Sequence, residues 1–411
     1  MLLKKPQRLN LSDPKYRDDP WHHFGQLREL GPVVRIKFPF MGKVWAATTY
    51  EAVNDVLKNW EKFPRDPANA GRNNWVSWQW MIPRSLMAFA SNMLGADGTD
   101  HRRLRSLVDK AFARRNIDGM AERINEIASD QLDIAQQSMT SDGTIDILDG
   151  FARPFPLTVI CELLGLPMED RPKFQQWFAP ISKVKNIFGI FRMTSGLKKL
   201  SSYLKEQFKL VRDNPREGLI TELVHAEEDS ERLTEDELLS MIFLLLAAGH
   251  ETTVHLITNL LHCLLCHPES RSALLSDWTR IDGAIDETLR YASPVQFTKP
   301  RFISADMTFH GVELKQKEMI IPIIAAANCD PARFDDPLRF DIERQQNYHM
   351  TFGSGPHTCL GMKLARTEAR EAMRTLFERW PDLEAAFDLS RPDWSKRIGT
   401  RGFNSFLIRT N

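Results

Sequence analysis

The chain has 411 residues and carries 54 Lys+Arg against 54 Asp+Glu, so its formal net charge is zero. That balance argues against a nucleic-acid binder driven by overall charge, though not against a local basic face. The 42% hydrophobic content suits a soluble globular protein with a large core. Five scattered cysteines (Cys161, Cys263, Cys266, Cys329 and Cys359) do not form a disulfide framework pattern, and Met1 to Pro6 has no apolar leader segment. A reducing cytoplasm is therefore the expected location.

In chain order, residues 32–50 predict two strands, Val33–Phe38 and Val44–Thr48, around Gly42-Lys43. Most of residues 100–292 is helical by period. His101-Arg102-Arg103-Leu104-Arg105 begins one helix, with Thr99 or Asp100 available as cap. His101 and Arg105 share a face, which suits either a solvated basic stripe or a clamp for a carboxylate. Residues 183–199 mix Lys183, Lys185, Arg192, Lys198 and Lys199 with apolar residues, as a mobile lid or a solvated helix end would. Thr234-Glu235-Asp236-Glu237 is a capping box, and a long apolar helix follows until Pro268. His250 and Glu251 break the run Met241–Gly249 well short of the ~20 apolar residues of a membrane span, so none is predicted.

Inside that helix lies Ala248-Gly249-His250-Glu251-Thr252-Thr253. Gly249 weakens the helix by up to ~1 kcal/mol relative to alanine, and hydroxyls can bond back to preceding carbonyls. The segment reads either as a solvent-facing interruption or as an opening beside a ligand, with a proton path through Glu251 and Thr252. Near the helix end, Cys263-Leu264-Leu265-Cys266-His267 spells the signature of covalent c-type haem attachment. Its place closing an apolar helix favours core cysteines instead. Glu287 and Arg290 stand at i and i+3, and Pro337-Leu338-Arg339-Phe340 follows. Residues 296–324 predict further short strands, broken at His310-Gly311 and at Lys315 to Glu318.

The most informative run is Phe352-Gly353-Ser354-Gly355-Pro356-His357-Thr358-Cys359-Leu360-Gly361. Glycines let the backbone turn sharply and approach a flat ligand. Cys359 opens a helical stretch over 360–380, where unpaired N–H groups and the helix dipole favour thiolate. A lone thiolate suits one axial position of a haem iron and is too little for zinc, which wants about four ligands. By itself the run also fits a small buried cysteine on a tight turn.

The spacing Phe-x-x-Gly-x-x-x-Cys-x-Gly resembles the haem-ligand loop of the cytochrome P450 family. Five motifs in the family's order extend the resemblance from about residue 97 to the C-terminus. It implies a mainly α fold with small β-sheet regions, a single domain over 1–411, and haem b as cofactor. Cys359 is implied as axial ligand, within the loop from Phe352 to Gly361. Glu251 and Thr252 resemble the acid–alcohol pair that delivers protons. His101, Arg105, Arg301 and His357 resemble propionate contacts. Glu287, Arg290 and Arg339 map onto the structural triad.

The function so implied is that of a haem-thiolate monooxygenase. It would insert one oxygen atom of O2 into a mostly apolar small organic substrate. Electrons would come from a ferredoxin-like donor with its reductase, docking on a basic face that includes Arg102, Arg103, Lys110, Arg114, Arg115, Lys363, Arg366 and Arg370. By analogy the pocket draws on Trp78, Trp80, Phe89, Leu245, Ala248, Val295, Phe297 and Phe403, an apolar lining. The alternatives are a haem-thiolate peroxygenase or isomerase, or a non-catalytic haem-binding sensor.

Overall fold

The computed structural model describes residues 14–38, 41–72, 93–115, 117–182, 187–228 and 231–410. Two short helices come first, α1 (Pro14–Asp18) and α2 (Pro20–Leu30). The Asp19 side chain caps α2 by accepting from the His22 N–H at 3.0 Å. Strands β1 (Val33–Phe38) and β2 (Gly42–Ala47) precede α3 (Tyr50–Lys58). Then follow α4 (Gly98–Arg114), α5 (Ala121–Gln136), β3 (Thr144–Asp146), α6 (Pro154–Leu164), α7 (Arg171–Ser182), α8 (Ile187–Asp213) and α9 (Leu219–His225). A minimal hairpin, β4 (Glu227–Glu228) and β5 (Glu231–Arg232), leads to the long α10 (Glu235–Cys266). After α11 (Pro268–Ser276) and α12 (Ile281–Tyr291) come β6 (Arg301–Phe302), β7 (Met307–Phe309), β8 (Val312–Leu314), β9 (Met319–Pro322) and α13 (Ile324–Asn328). The chain closes with α14 (Met362–Arg379), β10 (Glu384–Ala385) and β11 (Leu407–Arg409).

Contacts gather the chain into two units. The first comprises Met1–Asn73, Ile124–Pro154 and Glu251–Asn411. It holds a four-stranded sheet in the order β1-β2-β9-β6, in which β2 and β9 run parallel and the other neighbours antiparallel. Strand periodicity sorts its core. Val34, Ile36, Val44, Ala46 and Ile321 pack with Phe24 and Leu27 of α2, whereas Val33, Trp45, Ala47 and Ile320 pack with Val53, Val56 and Leu57 of α3. A second sheet, β10-β11-β3, places the C-terminal strand at its centre. His310 and Gly311, both at positive φ, turn the β7–β8 hairpin where the sequence predicts a break.

The second unit comprises Asn74–Arg123 and Phe155–His250 and is built mainly from α4, α6 to α9 and the first half of α10. The predicted capping box starts α10. The Thr234 N–H donates to Glu237 Oε2 at 2.8 Å, and the Glu237 N–H donates to Thr234 Oγ1 at 3.2 Å. By length and composition α10 would cross a membrane, but 56% of its most apolar window is buried inside the fold. A helix apolar nearly all round and mostly buried is a core helix. Its centre still opens: Ala247 and Ala248 are exposed and Gly249 is half-buried.

Two boundaries differ from the sequence reading. Gly42 and Lys43 begin β2 rather than form the turn, paired with Phe38 and Lys37. The helix after Cys359 starts at Met362, with Gly361 at its N-cap. Cys359 therefore lies in the turn leading into α14, before its first helical residue.

Candidate functional site

The turn carrying Cys359 is shaped by two glycines. Gly353 (φ +77°) and Gly355 (φ +74°) both adopt left-handed backbone. A Cβ on Gly355 would stand 2.9 Å from Lys58 Cα and 3.0 Å from the Leu57 carbonyl oxygen, so the turn sits directly on the end of α3. The Cys359 N–H donates to the Phe352 carbonyl at 2.8 Å, which closes the loop. Beside Gly361 a Cβ would meet no heavy atom within 4 Å, so that side of the loop is open.

Exposure separates this cysteine from the other four. Cys161, Cys263 and Cys329 are buried, Cys266 is half-buried, and Cys359 is exposed. Burial pushes the Cys161 thiol up to about 12 and the Cys329 thiol up to about 11, despite nearby arginines. Those sulfurs stay protonated and inert. Among the described residues, no group of three or more His, Cys, Asp or Glu could hold a metal ion. One accessible sulfur on an open glycine turn is the donor set for a metal whose other ligands come with it, as in haem.

Around Phe352 lies a cluster that the sequence reading missed. The Arg366 guanidinium stands over its ring at 4.8 Å, and His349 packs at 5.7 Å. Arg366 also pairs with Asp286 at 2.8 Å, and His349 lies 3.5 Å from the same carboxylate. Burial alone would raise the Asp286 pKa, but the His349 hydrogen bond and the Arg366 charge outweigh it and hold the carboxyl low. Asp286 lies one residue before Glu287, so α12 supports the Cys359 loop from two adjacent positions.

Glu287 and Arg290 form a bidentate pair, with bonds of 2.8 and 2.7 Å and neither side chain exposed. Arg290 also donates to the carbonyls of Asn328 (3.0 Å), Pro337 (2.7 Å) and Arg339 (3.1 Å). The third side chain is Arg344, whose Nε reaches Glu287 at 3.1 and 3.2 Å. This corrects the assignment of Arg339, which is exposed and offers the cluster its backbone oxygen. The sequence carried a signal for Arg344, a second arginine five residues on, but spacing alone does not say which one turns inward.

Glu251 and Thr252 are half-buried at the middle of α10. Glu251 forms an ion pair with Arg397 and lies 3.8 Å from His255 Nε2, one helical turn on. Next to them, the Thr253 side chain faces Glu368 of α14. That acid is only 2% exposed, and burial pushes its carboxyl well above the usual range. Burial thus favours the protonated form of Glu368 beside the polar segment.

The remaining candidates fall in different places. In the first unit, Arg301 is fully buried on β6 and donates to the Phe63 carbonyl at 3.3 Å, and His357 is half-buried in the glycine turn. In the second, His101 is 3% exposed on α4, and Arg105 pairs with Asp109 at 2.9 Å. Leu245 is half-buried and Ala248 exposed on α10. Val295 and Phe297 are half-buried beside the C-terminal turn: Val295 bridges Thr400, and a Cβ on Gly399 would stand 2.9 Å from the Phe297 ring. Phe403 is corrected from pocket lining to core. It is 1% exposed, with Trp394 at 4.5 Å, Phe406 at 4.9 Å and His262 at 5.2 Å. Trp78, Trp80, Phe89, Lys183 and Lys185 lie outside the described residues; Lys198 and Lys199 are exposed on α8.

The Cys263-x-x-Cys266-His267 motif is spent on helix packing. Cys263 is 3% exposed, Cys266 Sγ lies 3.4 Å from His262 Nε2, and His267 Nδ1 bonds the Cys263 carbonyl at 2.8 Å.

Comparison with known proteins decides the family. The cytochrome P450 family model matches residues 6–381. The chain belongs to the cytochrome P450 family. It is 36% identical to the cytochrome P450 monooxygenase PikC of Streptomyces venezuelae over 394 residues, covering 95% of this chain and 91% of that protein. Among solved structures, the bacillaene polyketide synthase P450 PksS of Bacillus subtilis superposes with a TM-score of 0.88 at 33% identity, covering 98% of this chain and 100% of that one. A myxobacterial P450 in complex with myristic acid reaches 0.86 at 34% identity, covering 98% of each chain. The fold is therefore the P450 fold, and the protein is a haem b enzyme of a bacterial monooxygenase family. Such enzymes take O2, an organic substrate and electrons from a redox partner.

Proposed function

We propose that this P450 oxidises a mostly apolar small organic substrate, with Cys359 as the thiolate that would hold the haem iron and Glu251 and Thr252 as the proton-delivering pair. The observation that carries the reading is the contrast between Cys359, exposed on its open glycine turn, and the buried or half-buried sulfurs elsewhere. Haem, when bound, supplies the oxygen-activating chemistry. The loop's own part is to hold Cys359 rigidly, through the Phe352 carbonyl and the seat on α3. Arg301 and His357 are the donors that the first unit offers to the propionates. Glu251 carries protons in from solvent, and the Thr252 hydroxyl passes them on.

The half-buried Val295 and Phe297 support an apolar substrate. So does the relative crystallised with myristic acid. The proposed electron donor is an acidic ferredoxin-like protein with its reductase, and the proposed location is the cytoplasm.

The decisive test is spectral. Reduced protein exposed to CO should show the red-shifted Soret band of a thiolate ligand, lost in Cys359→Ala and kept in Cys263→Ala. Thr252→Ala should bind haem and substrate normally yet release peroxide in place of product, and Glu251→Gln should slow oxygen activation. Normal coupling in both variants would remove the proton-delivery roles. Turnover with peroxide but not with NAD(P)H and redox partners would mark a peroxygenase instead.

A further inference from the structure

Helix α10 is mostly apolar, yet one stripe of it is polar: Glu251, His255, Asn259 and His262, spaced at i, i+4, i+8 and i+11. Every member addresses the same C-terminal segment, residues 389–403. His262 Nε2 bonds the Leu389 carbonyl at 3.3 Å and its ring meets Trp394 at 5.5 Å. Asn259 Nδ2 donates to the Arg401 carbonyl at 3.1 Å and to the Ala292 carbonyl at 2.9 Å. The His255 ring lies so close to Gly402 that a Cβ there would collide with it. Glu251 is reached by Arg397. The turn is anchored on its other side as well, because the Gln296 N–H donates to the Gly399 carbonyl at 2.9 Å and the Arg401 N–H to the Pro294 carbonyl at 3.0 Å.

We infer that Arg397 is a positioning residue for Glu251: through it, the C-terminal turn sets the direction of the carboxylate and its affinity for a proton. The inference rests on Glu251 being the proton-delivering acid. Arg397 pairs with it from the turn, and His255 stands 3.8 Å away on its own helix. Behind Arg397 lies Arg153, itself paired with Asp149. Burial first, and the Arg153 charge second, lower the Arg397 pKa from its ordinary value, yet an arginine stays a cation at neutral pH. A cation in contact favours the ionised carboxylate. Arg397 therefore favours the ionised form of the acid and turns it toward residues 397–402, and weakening the pair makes the acid hold a proton more readily. The other stripe residues hold the turn through backbone and ring contacts, and Arg397 brings a permanent cation from the turn to Glu251.

The test uses the ferric holoenzyme with Arg397→Gln, Arg397→Lys and Glu251→Gln. In pH-difference infrared spectra of the resting protein, the carboxyl band absent from Glu251→Gln belongs to Glu251. Its proton affinity should rise about tenfold or more in Arg397→Gln and stay near wild type in Arg397→Lys. The alkaline limb of coupled product formation should move upward by the same amount in Arg397→Gln. A band midpoint and limb unmoved in Arg397→Gln would overturn the inference while leaving the acid's role intact. Normal coupling in Glu251→Gln would instead overturn the acid's role, and with it any positioning role for Arg397, whatever the band does.

Discussion

Glu287 collects more bonds than any spacing rule foretells. It accepts from Arg290 twice, from Arg344, from the Asp341 N–H at 2.9 Å and from Asn347 at 3.0 Å. A buried carboxylate needs this many donors to offset its desolvation. Removing one partner leaves a charge stranded, so the cost depends on which is removed. Arg290→Ala should destabilise by roughly 3–5 kcal/mol, because Glu287 loses its bidentate partner. Arg344→Ala should cost about 1–3 kcal/mol, since Arg290 remains. Arg339→Ala should stay within about 0.5 kcal/mol, because only its backbone takes part. Denaturant unfolding of the three variants orders them. A cost for Arg339→Ala equal to that for Arg344→Ala would restore the original triad assignment.

Helix α14 does more than follow the Cys359 loop. It presents Glu368 to Thr253 of α10 in a setting where burial favours the protonated acid. The unfolded chain ionises this residue above about 4.5, its ordinary value, whereas the folded chain keeps the proton to higher pH. The folded state thus binds more protons in that window, and stability falls as pH rises through it. Glu368→Gln keeps a hydrogen-bonding side chain without the titration. Its melting temperature should fall less between about pH 5 and pH 8 than wild type, and should be higher at the alkaline end. Parallel melting curves would mean that the site does not discriminate between protonation states. The glycine turn gives a second test at this scale. Gly355→Ala should be destabilising, by the left-handed φ and by the approach to Lys58, and should weaken haem retention on a desalting column.

For the whole molecule, the net charge of zero hides how the basic residues are used. Arg103 pairs with Glu237, Arg114 with Glu222 at 3.2 Å, and Arg115 with Glu217 at 2.5 Å. Arg366 is held by Asp286 and Arg370 by Asp282. Such pairs cancel much of the field an acidic partner would feel. Arg102 is exposed. Electron transfer from the proposed ferredoxin-like donor should therefore slow with salt, and charge reversal at Arg102 should slow it more than reversal at Arg103 or Arg114. A rate flat in ionic strength and indifferent to all three reversals would rule out docking at this helix.

Local pattern was enough to read much of this protein. The capping box at Thr234, the β7–β8 turn at His310-Gly311, the buried helix before Pro268 and the glycine turn before Cys359 all depend on residues close in sequence. Their chemistry acts over a few residues, so the one-dimensional order carries it. What spacing left open was which of several equivalent side chains turns inward. Arg344 rather than Arg339 reaches Glu287, Phe403 joins the aromatic core, and Arg397 meets Glu251 from 146 positions away, the difference of their residue numbers. Those choices follow from packing between distant segments, where a one-residue shift turns a side chain from the core to solvent.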